Sequence, residues 1–449
     1  MASKKSKETS LTLPLVHRRA AGVDIGSTFH VVAVAPDLDP DPVRSFGSFT
    51  ADLNRLADWL VSLGVTTVAM ESTSIYWVPL FEILEARGLD VILVNARDTK
   101  NVPGRKTDVK DAQWLQQLHS YGLLRASFRP TAPIAALRAY LRHRERLLEF
   151  SASHVQHMQK ALMQMNLQLH HVVSDITGVT GMKIIRSLLG GERDPQTLAE
   201  YRDNRCKSSV DTIREALTGH YQPEHVFALR QAVELYDVYQ AKLRDCDTEI
   251  EQTLQSLPRA TVAPLPPPRG KRVKQKNEPA FELRSVLHSL VGVDLTQIHG
   301  LGPYSALRIL SECGTDLSRW PTVKHFTSWL TLAPGSKISG GKVLSGRTRR
   351  SSNRATVLLR LSAVSVGKTH TALGAFFRRL ASRVGKAKAV TATARKLAVL
   401  LYNTVRHGAT YVDPGENYYE ERYRQRTLHN LRRRAESLGF TLVEAPSPG

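Results

Sequence analysis

The feature that most constrains the fold is a charged residue inside the first apolar run of the chain. Residues 20–25 form a strand-like run, and Asp24 lies within it between Val23 and Ile25. A buried carboxylate in such a strand costs several kcal/mol unless it is compensated. We therefore expect a cation or a firm hydrogen-bond partner beside Asp24.

Three further acids occur where a metal site could collect them. Glu71 ends a second apolar, strand-like run, and Asp108 and Asp111 open a run (112–124) whose apolar spacing predicts a helix. A spacing of three residues places Asp108 and Asp111 on one helical face. Carboxylate oxygens are the ligands of hard cations, so the four acids together predict a site for Mg²⁺ or Mn²⁺. Taken singly, each acid also has a structural explanation, because such residues are common at strand ends and helix starts.

The order of the predicted elements defines the fold class of the first 130 residues. The patterns predict β-β-β-α-β-α-β-α, with elements at 20–25, 29–35, 43–50, 53–63, 65–71, 76–87, 90–94 and from 108 onward. This order matches an α/β fold of the ribonuclease-H type. In that fold, metal ligands lie on the first strand, at the end of the fourth strand and on a late helix, as Asp24, Glu71, Asp108 and Asp111 would.

The charge of the chain predicts a polyanionic partner. The 62 Lys and Arg exceed the 41 Asp and Glu by 21. Residues 317–412 hold 18 Lys and Arg and no acid, which favours nucleic acid over a membrane surface or a generic solvated face. No apolar run is long enough to span a membrane and no apolar signal segment follows the N-terminal lysines, so we expect a cytoplasmic protein without a membrane partner. The three distant cysteines predict neither disulfides nor structural zinc.

Two long helices with narrow apolar seams are predicted in the middle of the chain, at about 134–169 and 226–257. Arg144 and Ser151 interrupt the first seam, and Gln240 and Asp247 are polar positions of the second. The helices could form an antiparallel coiled coil within one chain or an oligomerisation arm between chains, and the pattern does not choose. A proline-rich, basic linker follows at 260–280.

Two motifs follow the linker. Gly300 and Gly302 lie in a tight turn before a predicted helix, typical of a helix-hairpin-helix element that contacts a nucleic-acid backbone, although such turns also serve packing. Farther on, Ser339 precedes two glycines in a basic loop. A serine there could attack a phosphodiester, although serines in glycine loops are more often only flexible. The basic residues that could stabilise the charge are Lys342, Arg347, Arg349, Arg350 and Arg354.

In these motifs and their order, nearly the whole chain resembles the insertion-sequence-110 family of bacterial transposases, DEDD-type serine recombinases guided by a bridge RNA. The resemblance implies a RuvC-like domain that holds Mg²⁺ through Asp24, Glu71, Asp108 and Asp111. It also implies a coiled-coil middle and a helical transposase domain with Ser339 as nucleophile, Ser336 and Ser345 being alternatives. The implied partners are donor DNA, target DNA, a bridge RNA and further copies of the chain, as a dimer or tetramer. The extension beyond Gly408 is longer than we expect for this family, and the proline-rich basic linker is unfamiliar in it.

The expected domains are a basic tail (1–19), a RuvC-like domain (20–130), a helical arm (131–259), the linker (260–280), a transposase domain (281–410) and an extension (411–449). Arg105 and Lys106, close to the acids, are candidates for phosphate contact or for solvated surface. Other functions remain open at this point. A RuvC-like junction nuclease would use the acids with water and not need Ser339, whereas a non-catalytic nucleic-acid scaffold would tolerate the loss of all five residues. An RNA-binding assembly protein would account for the long helices and the charge but would leave Asp24 in its strand unexplained.

Overall fold

The computed structural model describes residues 14–95, 108–270, 274–351 and 353–443. The chain divides into two compact units, Met1–Arg129 and Pro130–Gly449. The first unit is mixed α/β and the described part of the second is mainly helical, which confirms the expected fold class at this level. No helix in the described ranges combines the length and the apolar character that a bilayer crossing requires.

A five-stranded mixed sheet forms the centre of the first unit. Its strands β1 to β5 span Ala20–Ile25, Phe29–Ala33, Val43–Gly47, Thr67–Glu71 and Asp90–Val94. The strand order is β3-β2-β1-β4-β5, in which β2 pairs antiparallel with β1 and β3 whereas β4 pairs parallel with β1 and β5. The carboxyl ends of β1, β4 and β5 therefore meet at one edge of the sheet.

Helices cover both faces of this sheet. The helices α1 to α3 span Thr50–Ser62, Trp77–Ala86 and Asp108–Ser120. Val23, Val68 and Met70 belong to the larger apolar core, which they share with buried residues of α1 and α2. On the opposite face, Ala112 of α3 packs against Val31 in a smaller core. Because side chains alternate along a strand, Asp24 faces the same side of the sheet as α3.

The second unit is mainly helical in its described part. Its helices α4 to α16 span Ala132–Gln164, Leu169–Val172, Val179–Leu189, Pro195–Glu200, Val210–Ala216, Pro223–Ser256, Leu283–Val291, Pro303–Cys313, Val323–Trp329, Arg354–Val366, Ala372–Val384, Lys386–His407 and Glu416–Ser437. A 3₁₀ turn, Leu295–Gln297, precedes α11. A hairpin of β6 (Lys337–Ser339) and β7 (Lys342–Ser345) lies between α12 and α13.

The long helices α4 and α9 pack against each other within the chain and run antiparallel. Their polar seam positions pair across the interface. The Arg144 Nε donates to Asp247 Oδ1 at 2.6 Å, and the Gln240 amide donates to the Ser151 hydroxyl at 3.1 Å. The short helices α5 to α8 pack around one end of this pair in a shared apolar core. The polar residues that interrupt the apolar seam of α4, Arg144 and Ser151, therefore form hydrogen bonds with the polar seam positions of α9.

The buried ion pair also anchors the segment that follows α9. Arg144 donates to the carbonyl of Asn277 at 2.9 Å and to the hydroxyl of Tyr304 at 3.1 Å. The Asp247 carboxylate accepts a hydrogen bond from the backbone N–H of Ala280 at 3.1 Å. Burial disfavours the charged guanidinium, but the interactions with Asp247 and Tyr304 together outweigh burial and raise the pKa of Arg144. The C-terminal end of the linker is therefore held against the pair of helices α4 and α9.

Candidate active site and nucleic-acid interface

Two of the four predicted metal ligands lie on neighbouring strands. The parallel register of β1 and β4 runs to the pair Val23 and Met70, and the next residues of the two strands are Asp24 and Glu71. Paired positions of adjacent strands are about 4.8 Å apart and point to the same face. Both acids are partly exposed. The carboxylates of Asp24 and Glu71 are therefore neighbours at the carboxyl-terminal edge of the sheet.

The helix that carries the other two acids lies directly on β1. A Cβ atom added to Gly22 would lie 2.3 Å from the backbone nitrogen of Gln116 and 2.5 Å from the carbonyl oxygen of Ala112. Such distances are far inside van der Waals contact, so only glycine permits this approach. The buried Gln116 amide also donates to the Ser120 hydroxyl at 2.9 Å, which fixes this part of α3. Gly22 therefore sets the height of α3 above the strand.

A second contact gives the direction of α3. Its last turn carries His119, whose Nε2 lies 2.9 Å from the hydroxyl of Thr67, the first residue of β4. Because the end of α3 lies over the start of the strands, its first turn, with Asp108 and Asp111, extends toward their carboxyl ends. That is the edge at which Asp24 and Glu71 meet. Burial, and next the charge of nearby His17, lower the pKa of His119 to about 4, so that this contact is made by a neutral ring at pH 7.

The backbone arrangement and the chemistry of the donor set fit a divalent hard cation. Four carboxylates on β1, β4 and α3 would supply only oxygen ligands, which Mg²⁺ and Mn²⁺ prefer. Among the described side chains, no group of three or more His, Cys, Asp or Glu is close enough to hold a metal ion, and the side chain of Asp108 lies outside that description. Arg105 and Lys106 also lie outside the described residues. The metal-ligand roles therefore stay predictions.

Ser339 lies at the tip of the exposed β6–β7 hairpin. It pairs with Lys342 across a two-residue turn in which Gly340 and Gly341 have φ of +54° and +75°. Two consecutive residues with positive φ are typical of a type I′ turn, which matches the twist of a hairpin and strongly favours glycine. No described residue forms a hydrogen bond with the Ser339 hydroxyl. The turn therefore presents Ser339 to solvent.

The two alternative serines differ in their contacts. Ser336 is exposed on the same arm of the hairpin. The hydroxyl of Ser345 is partly buried and accepts a hydrogen bond from the backbone nitrogen of Arg347 at 3.3 Å. A hydroxyl that caps a turn in this way is less available than that of Ser339. The geometry therefore favours Ser339 or Ser336 over Ser345.

The predicted basic residues around the hairpin fall into two groups. Arg354 forms an ion pair with Glu145 of α4 at 2.9 Å, and Arg349 donates to the carbonyl of Ser328 at 3.1 Å. Lys342, Arg347 and Arg350 are exposed, and no described carboxylate pairs with them. These three residues are free to bind phosphate, whereas Arg354 would first have to release the Glu145 carboxylate.

Packing accounts for one of the two glycines that precede α11. Gly300 has φ +86°, and an added Cβ would lie 2.4 Å from a methyl group of Val366 and 2.9 Å from the carbonyl of Ser362. Gly302 caps α11 without a side-chain hydrogen bond, and its added Cβ would meet only the Gln275 amide at 3.6 Å. The backbone N–H groups that begin α11 could still bind a phosphate, and this role stays a prediction for both glycines.

Sequence patterns did not identify two residues that organise these regions. Glu145 binds both Arg354 and Arg308, which lie 209 and 163 positions farther along the chain. Gly22 is unremarkable within its strand, and only the passage of α3 explains it. An acid next to a polar seam position, and a glycine inside a strand, are the signals that could have drawn attention to them.

Comparison with known families defines the class of the protein. A DEDD-type model described as "Transposase" matches residues 21–167, and a model described as "Transposase IS116/IS110/IS902 family" matches residues 294–376. Together they cover just over half of the chain. No curated protein matches the chain. Both models describe transposases, so the protein is an enzyme that cuts and rejoins DNA.

More narrowly, the chain belongs to the IS110 family of transposases. The first match contains all four predicted metal ligands, and the second contains Gly300, Gly302 and Ser339. Nuclease domains of the DEDD transposase type generally use divalent metal ions. The family assignment confirms the expected transposase and its DNA substrates.

Proposed function

We propose that this transposase exchanges DNA strands through a covalent serine intermediate, with Ser339 as nucleophile and with Asp24, Glu71, Asp108 and Asp111 as ligands of Mg²⁺ or Mn²⁺ in a RuvC-like domain. The observation that carries the proposal is the register of β1 and β4, which makes Asp24 and Glu71 neighbours at the edge toward which α3 extends. The exposed hydroxyl at the hairpin tip supports the serine step.

In the proposed reaction, the Ser339 oxygen attacks the scissile phosphorus. The bond from phosphorus to the leaving sugar oxygen breaks, the sugar oxygen takes up a proton, and the DNA phosphate remains esterified to serine. A sugar hydroxyl of the new partner strand then attacks the same phosphorus and releases the serine hydroxyl. The number of phosphodiester bonds is unchanged, so no nucleotide cofactor is needed.

The chain's own charges would stabilise this reaction. Exposed cations close to Ser339 in sequence, Lys342, Arg347 and Arg350, would bind the charge that develops on the phosphate oxygens. Arg354 would join them by leaving Glu145. When bound, the divalent ion would polarise the scissile phosphate and its leaving oxygen. The four carboxylates would hold that ion.

We further propose that a bridge RNA selects the DNA, and that several copies of the chain act together as a dimer or tetramer. The net charge of +21 supports a large polyanionic partner but does not separate RNA from DNA. The acids belong to residues 1–129 and Ser339 to residues 130–449, and the proposal allows them to come from one chain or from two.

Trapping of the covalent intermediate tests this proposal. Full-length protein would be incubated with donor DNA, target DNA, co-purified RNA and Mg²⁺, then denatured, and the DNA-linked peptide identified by mass spectrometry. We expect the adduct on Ser339, its loss in Ser339→Ala, and its retention in Ser336→Ala, a matched exposed serine on the same hairpin. Asp24→Asn and Asp108→Asn should abolish Mg²⁺-dependent cutting while nucleic-acid binding persists.

Three outcomes would contradict parts of the proposal. Normal strand cutting by Ser339→Ala, with water incorporated into the product, would identify a hydrolytic nuclease that uses the acids alone. An adduct that disappears in Ser336→Ala would move the nucleophile to that residue. Normal cutting by both Asp24→Asn and Asp108→Asn would exclude the metal site.

A further inference from the structure

The C-terminal helix α16 lies outside both segments that match the transposase models, the second of which ends at residue 376. It contains 22 residues and none of them is buried. A solvent-exposed helix of this length gains little from its own hydrogen bonds, and like charges one turn apart weaken it further. To remain folded, α16 therefore needs contacts with the rest of the chain at one of its ends, a binding partner, or both.

The first two turns of α16 are clasped to α14. Glu416 pairs with Arg378, and Glu420 pairs with Arg379. The Arg379 guanidinium also lies 4.0 Å from the ring centroid of Tyr423. The three α16 residues of this clasp, at positions 416, 420 and 423, follow one helical face. The clasp sets the direction of α16 relative to α14. Helices α13 to α15 belong to the segment 317–412, which contains 18 Lys and Arg and no acid.

Beyond Tyr423, α16 continues for 14 residues, none of which is buried. The segment from Arg422 onward is rich in arginine. The six arginines between positions 422 and 434 are Arg422, Arg424, Arg426, Arg432, Arg433 and Arg434. All six are exposed, and no described carboxylate forms an ion pair with any of them.

Three of the six arginines form a stripe along the helix, whereas Arg424, Arg432 and Arg434 lie at other angles around it. At 100° per residue, Arg422, Arg426 and Arg433 fall on one stripe, and Leu428 and Leu431 fall on the other side of the helix. The arginine stripe extends over about 16 Å at a rise of 1.5 Å per residue. An α-helix fits the major groove of a DNA duplex, about 12 Å wide, and guanidinium groups bind phosphate oxygens in a bidentate manner.

From this arrangement we infer that α16 is a clamp for the phosphate backbone of a DNA duplex. The stripe of Arg422, Arg426 and Arg433 binds the phosphates, and the clasp to Arg378 and Arg379 orients the clamp. Uncompensated positive charge on one face favours a polyanion over a second copy of the chain. The inference rests on the transposase assignment only in that the protein acts on double-stranded DNA.

The salt dependence of binding tests the clamp. Full-length wild type and the triple variant R422Q/R426Q/R433Q would be titrated with a 30-base-pair DNA duplex and with an RNA duplex of the same sequence, over a series of salt concentrations. Loss of three phosphate contacts should reduce the slope of log affinity against log salt by about 2.7 on DNA. A reduced slope on the DNA duplex supports the clamp, whereas a reduction on the RNA duplex alone would overturn it.

A matched control removes the same charge elsewhere. The triple variant K160Q/K183Q/K207Q changes three exposed lysines of α4 and of the segment with α6 to α8. An unchanged slope for the arginine variant on both duplexes, or an equal reduction in the lysine variant, would overturn the clamp. Circular dichroism verifies that each variant folds.

A second comparison separates the clamp from self-association. If L428Q/L431Q halves the mass measured by ultracentrifugation while the arginine variant binds both duplexes normally, α16 is a contact between copies and the inference is wrong. The binding assay requires no strand cutting. If the clamp inference is wrong, the Ser339 adduct should still form. If no adduct forms, the salt dependence of duplex binding can still be measured.

Discussion

Removal of the Asp247 carboxylate is the most direct test of how the second unit is held together. In Asp247→Ala, the Arg144 guanidinium loses its partner at 2.6 Å, and the side chain of Arg144 is only 4% exposed. The N–H of Ala280 loses its acceptor as well. A buried ion pair that loses one member costs about 3–5 kcal/mol, because the remaining charge stays desolvated. The hydrogen bonds from Arg144 to Asn277 and Tyr304 persist, which favours the lower half of that range.

Urea denaturation followed by far-ultraviolet circular dichroism measures this loss as a fall in the free energy of unfolding. The control is Asp237→Ala on the same helix, where the Arg186–Asp237 pair is exposed by 55% and 41%. An exposed pair contributes only about 0–1 kcal/mol.

The double variant Arg144→Met/Asp247→Leu provides a further check. It removes both charges and should recover most of the lost stability, since apolar replacement of a buried pair is often neutral. A loss below about 1 kcal/mol in Asp247→Ala, equal to that of the exposed control, would refute the reasoning from desolvation.

Two other predictions concern the first unit. Gly22→Ala should lower the Mg²⁺-dependent cutting rate about 100-fold while duplex affinity is kept, because the new methyl group displaces α3 and its acids. The control is Gly270→Ala, where an added Cβ meets nothing within 4 Å. Equal cutting rates for the two variants would contradict the prediction. For His119, the folded pKa of about 4 lies below the unfolded value of 6.5, so the unfolded chain binds the proton more readily. The free energy of unfolding therefore decreases as the pH is lowered from 6.5 toward 4. Urea titrations at pH 7 and pH 5 should differ by about 2 kcal/mol more in wild type than in His119→Gln, and an equal difference in the two proteins would exclude His119 as the cause.

Local patterns predicted a large part of the fold. The described strands and helices of the first 124 residues occur in the expected order, because the periods of 2 and 3.6 residues reflect which side chains face a core. The two long helices follow from their seams in the same way. The position of Asp24 inside an apolar strand was visible for the same reason, since a charge there breaks the local pattern.

Other features depended on contacts between distant parts of the chain. The partners of Arg144 lie 103, 133 and 160 positions away, and no local period relates them. Gly300 could bind phosphate or pack, and only the neighbouring Val366 and Ser362 reveal its packing contact. The serine hairpin was expected as a basic loop, and its two-residue turn depends on the pairing of β6 with β7.

By itself, the sequence determined the order of the elements, the positions of the acids within them and the sign of the protein's charge, because these properties depend on residue type and local spacing. Only the tertiary structure decided that α3 lies on Gly22 with its first turn extending toward the strand ends that carry Asp24 and Glu71, and that Arg144 pairs with Asp247. Both arrangements result from the packing of segments far apart in the chain, where shape and charge complementarity select one partner among many.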